Sequence, residues 1–205
     1  MKPAARAGLA AGALALAGAL VPLALVLRRG ISARDEPTAV EVLAARSLRH
    51  LAVPRAAQAA VNPVPSGPEV LARARAHFAD HCASCHGNDG RGQTAIGRNL
   101  YPRAPDMAQA DTQSLSDGEI FSIIKNGVRL TGMPAWGEDT PAGDRETWEL
   151  VHFIRHLPKL TVEELAEMGA LNPRGREEWE QEEAARRFLE GGGAAPPSPS
   201  HHKEH

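Results

Sequence analysis

Residues 82–86 read Cys82-Ala83-Ser84-Cys85-His86, and this stretch decides how the rest of the 205-residue chain is read. It holds both of the chain's cysteines. Two thiols three apart on a helical turn point to the same side, so each can add to one vinyl group on a porphyrin edge. His86 is then carried beneath the ring, where an imidazole nitrogen can bind iron. C-x-x-C-H is accordingly the attachment pattern of a c-type haem, with Cys82 and Cys85 as the covalent attachment points and His86 as an axial ligand. A redox C-x-x-C of the thioredoxin kind belongs in a βαβ pattern, and the sequence has none. Half of a zinc site would need further ligands, and His77 and His81 lie close enough that counting alone leaves that alternative open.

Working outward, the composition suits one small domain with appendages. The net charge of −2 gives no sign of nucleic acid. Aromatic residues make up only 4 % of the chain, which is low for a large self-sufficient core, and a buried porphyrin would supply apolar volume. Residues 7–27 are uncharged and almost wholly apolar, with Lys2 and Arg6 before them and Arg28 and Arg29 after. Such a run can cross a bilayer core of about 30 Å as a helix. It is longer than the apolar core of a cleaved signal peptide, about 7–15 residues, so residues 1–30 are expected to be a membrane anchor rather than a signal peptide.

Residues 31–67 are expected to hold an amphipathic helix and a Pro-rich linker. Over 38–53, Val40, Leu43, Ala44, Leu48 and Leu51 share one helical face, and Arg46 and Arg49 lie on the other. Packing on the haem domain, lying on a membrane surface or docking on a membrane partner would each use such a helix. The stretch 62–68, Asn-Pro-Val-Pro-Ser-Gly-Pro, reads as stiff extended linker. A helix from Pro68 to the haem motif follows, with Leu71, Ala74 and Phe78 on one face. The segment 93–114, with Pro102 and Pro105, has no sustained period and reads as a loop over one haem face. Ser116 and Glu119 form a capping box for a helix carrying Ile120, Ile123 and Ile124 and closed by Gly127. After the loop Thr131-Gly132-Met133-Pro134-Ala135-Trp136, a last helix is expected over 144–157, stopped by Pro158.

This order of features resembles a class I c-type cytochrome over residues 68–158, an all-α fold around one covalent haem c. The resemblance implies that Met133, in the Met-Pro loop, is the second axial ligand. It implies that the N- and C-terminal helices cross, bringing Ala74 and Phe78 near Trp148, Leu150 or Phe153. It further implies that a proline carbonyl, Pro102 or else Pro105, accepts the proximal imidazole N–H, and that Trp136 packs in the haem pocket. From chemistry alone, a thioether on a Gly/Pro-flanked loop suits a soft neutral ligand that favours ferrous iron. Met107 is the main rival for that role, followed by His77, His81, His152 and His156.

Residues 159–190 are expected to form a helical extension, opened by the capping box Thr161/Glu164. It would end in a charged helix with Glu182–Arg186 and Glu183–Arg187 pairs, packed on the domain by Trp179 and Phe188. Residues 191–205 read as a flexible tail whose His201, His202 and His205 offer a weak divalent-metal site. The expected function is that of a membrane-anchored mono-haem electron carrier serving redox protein partners, among them a membrane respiratory complex. It would be a carrier or a subunit of an oxidoreductase rather than an enzyme itself, with no small-molecule substrate. Because c-type haem is attached on the outer side of the bacterial inner membrane, the haem domain is expected in the periplasm. The alternative is a peroxidase-like haem enzyme or a gas sensor with an open sixth iron position.

Overall fold

The computed structural model describes residues 3–30, 32–173 and 176–189, all of them in helices, turns and loops with no strand. Helix α1 spans Pro3–Arg29. Among the described residues, no helix is long and apolar enough to cross a membrane. The anchor expectation rests on residues 7–27, of which the side chains of Ala7, Leu9, Ala19, Pro22, Leu23, Leu25 and Val26 lie outside the described set.

The core is built where two helices cross. Helix α4 (Pro68–His77) starts at Gly67 with Pro68 in its first turn, where a missing N–H costs nothing. Helix α8 (Pro141–His156) packs against it. Phe78 and Phe153 meet there with ring centroids 5.0 Å apart, and Ala74, Leu150 and Val151 are buried around them. The expected crossing of the terminal helices is therefore present, with Phe153 as the partner of Phe78. Trp148 instead stacks on Phe121 at 4.1 Å. Removing a ring such as Phe78 from this core would cost about 3–5 kcal/mol. Helix α8 begins three residues before the sequence pattern suggested. Thr140 caps it by accepting the Gly143 N–H, and Pro141 sits in the first turn.

Helix α7 (Asp117–Asn126) has the expected Ser116/Glu119 capping box and packs against α8, burying Ile120 and Ile124. Helix α2 (Ala39–Ala52) is also opened by a capping box, Thr38 with Glu41. Its orientation is the notable finding. Val40, Leu43, Leu48 and Leu51 are 65–78 % exposed, so the apolar stripe faces away from the domain. The polar face makes the contacts: His50 Nδ1 lies 2.8 Å from Glu119 Oε1, the Tyr101 hydroxyl donates to Glu41, and Arg46 pairs with Asp111. The short α3 (Arg55–Gln58) then lies on the start of α7, where Ser116 Oγ donates to the Gln58 carbonyl.

The stretch 62–68 is not a free linker. Val64 is buried in the core, Asn62 Nδ2 donates to the Trp148 carbonyl, and His152 Nε2 bonds the Val64 carbonyl at 2.7 Å. Prolines hold the segment extended, and α8 supplies the partners that its backbone would otherwise find in water. On the other side, α9 (Val162–Leu171) begins at the expected Thr161/Glu164 capping box and buries Met168 completely. Arg75 of α4 joins it through Glu164 and Glu167. Helix α10 spans Arg176–Leu189. In it Arg187 pairs with Glu183 at 3.7 Å and Phe188 is 46 % exposed, so Phe188 does not pack as expected. The side chains of Trp179 and Glu182, and the tail with His201, His202 and His205, lie outside the described residues.

Candidate functional site

The approach to the haem motif is set by a change in helix pitch. After His77 the chain widens into one π turn, Phe78–Cys82, in which the Ala83 N–H donates to the Phe78 carbonyl five residues back. The extra residue swings Cys82 round before the chain tightens into the short helix α5 (Ala83–His86). Gly87 then ends the helix at φ +72°, a conformation that glycine adopts without strain. The loop that follows is pinned to the motif. Thr94 Oγ1 donates to the Cys85 carbonyl at 3.1 Å and accepts the Gly97 N–H at 2.8 Å. A Cβ on Gly97 would lie 2.2 Å from the Cys85 carbonyl oxygen, so only glycine allows that approach. Nothing in the sequence pattern marks Thr94 for this role.

These elements wall a cleft of about 310 Å³. It brings together Cys82, Cys85, His86, Met133, Pro102 and Trp136, which the sequence placed at one site. The cleft is otherwise lined mainly by aliphatic groups, among them Leu100, Ile123 and Ile154. Met107 reaches it too, but Met107 is also a buried member of the core. Met133 is half-buried on its loop, which is held by backbone bonds: its carbonyl accepts the Val128 N–H, and its N–H donates to Thr131 Oγ1. Of the remaining histidines, His81 lines the cleft, whereas His152 bonds Val64 and His156 pairs with Glu164. His77 lines a second groove, of about 580 Å³, on the far side of Trp136. That groove is larger but is lined by Arg73, Glu146 and Glu149 and holds no thiol, so it is not where a porphyrin would attach. Among the described residues no cluster of three or more His, Cys, Asp or Glu is arranged to hold a metal ion, so the zinc alternative gains no support from His77 and His81.

Around the two thiols and His86 the cleft favours the uncharged forms of its own groups. Burial, and then the neighbouring Cys85, push the Cys82 thiol up to about 12. Burial also holds the His86 imidazole below its usual pKa, which keeps it neutral and able to ligate. His86 Nδ1 is buried with no hydrogen-bond partner. The Pro102 carbonyl therefore does not accept from it here, although Pro102 lines the cleft. A half-buried imidazole whose Nδ1 has no protein partner, lining an apolar cleft together with two thiols, fits a haem iron and its two covalent links. Sequence reasoning did not place Arg49 and Arg103 at this site, yet both line the cleft.

The comparisons with known proteins fall on this same segment. Residues 69–154 match the family described as "Cytochrome C oxidase, cbb3-type, subunit III". The chain is 36 % identical over 81 residues to the cbb3-type cytochrome c oxidase subunit FixP of Rhizobium meliloti (strain 1021), covering 37 % of this chain and 26 % of that protein. It is 33 % identical over 97 residues to the subunit FixPc of Rhizobium leguminosarum bv. viciae, covering 45 % of this chain and 30 % of the relative. A third relative, FixP of Sinorhizobium medicae (strain WSM419), is 35 % identical over 94 residues, covering 45 % and 29 %. The chain thus spans between a quarter and a third of the length of the curated relatives it matches. An all-helical cleft around C-x-x-C-H and a family match over the same residues lead to one conclusion: residues 69–154 are a class I c-type cytochrome domain, which carries a single covalently bound haem c.

Proposed function

We propose that this protein is a membrane-anchored cytochrome c that passes single electrons at the periplasmic face of the bacterial inner membrane, serving a respiratory complex or a dehydrogenase. The observation that carries this reading is the cleft, which gathers Cys82, Cys85 and His86 with the thioether of Met133. When bound, the haem supplies a one-electron iron couple. Cys82 and Cys85 fix it covalently, so it cannot leave during turnover. His86 and Met133 hold the iron, and the neutral thioether favours its reduced state. Leu100, Ile123 and Ile154 exclude water from the ring, which further disfavours the more highly charged oxidised form. Trp136, 41 % exposed at the rim of the cleft, stands where a redox partner would approach.

The membrane reading is supported by the uncharged run 7–27, and the partner reading by relatives named as subunits of cbb3-type oxidases. The test is the visible spectrum of the dithionite-reduced protein with and without carbon monoxide. An unchanged spectrum is expected, because both axial positions are filled. In Met133→Ala, carbon monoxide should bind and the midpoint potential should fall. If Met133→Ala leaves both unaltered, Met133 is not the ligand, and Met107→Ala becomes the variant that must show the effect.

A further inference from the structure

Helix α2 lies outside the segment that matches the cytochrome family, yet one of its side chains lines the haem cleft. No carboxylate lines that cleft among the described residues, and Arg49 and Arg103 are its only permanent charges. Arg103 pairs with Glu36 at 3.2 Å. Arg49 is half-buried; its carbonyl accepts the Val53 N–H, while its guanidinium makes no hydrogen bond or ion pair among the described residues. A guanidinium at the mouth of an apolar cavity is unfavourably placed unless an anion joins it.

The helix is fastened so that Arg49 stays there. Its contacts fall on both borders of the cleft. Glu41 accepts from Tyr101 on the proline-bearing loop at 3.1 Å, while Arg46 and His50 hold Asp111 and Glu119 at the starts of α6 (Ala110–Gln113) and α7. Burial raises the pKa of the Glu119 carboxyl, but the Ser116 N–H and His50 outweigh it and keep the carboxylate ionised. Haem c brings two propionate carboxylates on the side of the ring away from its two thioether links. Those carboxylates need cations, and the cleft presents two.

We propose that Arg49 binds a haem propionate, with Arg103 as the second cation. Helix α2 is then a clamp that sets the charge at the haem edge and with it the redox potential. This rests on the haem being seated by Cys82, Cys85 and His86. The guanidinium offers a planar fork of N–H donors matched to a carboxylate. Its charge holds the propionate ionised and opposes the extra positive charge of ferric iron, raising the potential.

The test uses the full haem-loaded chain in detergent and compares Arg49→Gln, Arg49→Lys and Arg55→Gln by potentiometric titration across pH. The Arg49 guanidinium makes no hydrogen bond or ion pair with the described residues, so its replacement removes no polar side-chain contact of the fold. Arg55 is exposed on α3 and does not line the cleft, and it serves as the control. Arg49→Gln should lower the midpoint potential at neutral pH. It should also move the pH-dependent part of the potential upward by about one pH unit, as a propionate loses its cation. Arg49→Lys should keep most of the neutral-pH potential, and Arg55→Gln should match the parent. The proposal is overturned if Arg49→Gln titrates like the parent, if Arg55→Gln shifts as much, or if Arg49→Lys falls as far as Arg49→Gln. The reduced spectrum with carbon monoxide, read on each sample first, separates these outcomes from a failure of the haem or axial-ligand reading, which would appear there.

Discussion

At the scale of single residues, the position that controls the Met133 loop most tightly is Gly127. It ends α7 at φ +65°, and a Cβ there would sit 2.5 Å from the Pro134 carbonyl carbon and 2.7 Å from the Met133 oxygen. Both the conformation and the space require glycine, and the atoms in the way are backbone, which cannot swing aside. Gly127→Ala should cost about 1–2 kcal/mol from the left-handed backbone alone and should displace the loop that carries Met133. Carbon monoxide should therefore bind to reduced Gly127→Ala, as it should to Met133→Ala. A Gly127→Ala protein whose reduced spectrum ignores carbon monoxide would show that this loop does not set the sixth ligand. The sequence marked Gly127 as a helix stop, which it is. The close packing of the Met133 backbone over it could not be read, because contacts between a helix end and a loop depend on tertiary approach.

Among the elements, the α4–α8 crossing combines apolar packing with one strong ion pair. Glu149 of α8 is 5 % exposed and receives Arg73 Nη2 at 2.8 Å and Nε at 3.2 Å. The hydrogen bond from Arg73 holds its carboxyl below the ordinary range; burial opposes this, and the charges of Arg73 and Arg145 assist. A carboxyl whose pKa is lower in the folded than in the unfolded state stabilises the fold above its unfolded pKa. That contribution is lost as pH falls through the folded value. Stability should therefore decline below about pH 4.5, and part of the decline belongs to Glu149. In Glu149→Gln, melting temperatures at neutral pH should fall, and the difference between neutral and acid melting temperatures should shrink. An acid profile parallel to the parent's would remove Glu149 from this role. Elements of this kind were legible wherever a local signal existed: the Ser116 and Thr161 capping boxes, Pro68 at a helix start, the 3.6-residue period of α8. The way α2 faces was not legible. Its apolar stripe left packing on the domain, lying on a membrane surface and docking on a partner open; Arg46, His50 and Glu41 find charged and hydrogen-bonding partners on the domain and turn the stripe outward.

For the molecule as a whole, the folded unit is larger than the family segment 69–154. Val64 enters the core from the N-terminal side and Met168 from the C-terminal side, the latter with no exposed surface. Sequence periodicity could place α9 as a helix, but not seat it, because a single methionine on a ten-residue helix carries no sign of its partner. The structure seats α9 against α4 and the π turn, directly behind the haem motif. An ion pair from Arg75 and a hydrogen bond with His156, both at Glu164, fix its first turns. If α9 is part of the cooperative unit, Met168→Ala should cost about 2–4 kcal/mol, because a fully buried side chain is removed from a core that can only partly collapse. The loss should appear in one transition, with haem absorbance and helical circular dichroism melting together. If α9 were a separate appendage, Met168→Ala would release helix signal at low temperature while the haem transition stayed where it was. A single lowered transition is the expected result, because Met168 belongs to the same buried cluster as Phe78 and Phe153 at the α4–α8 crossing.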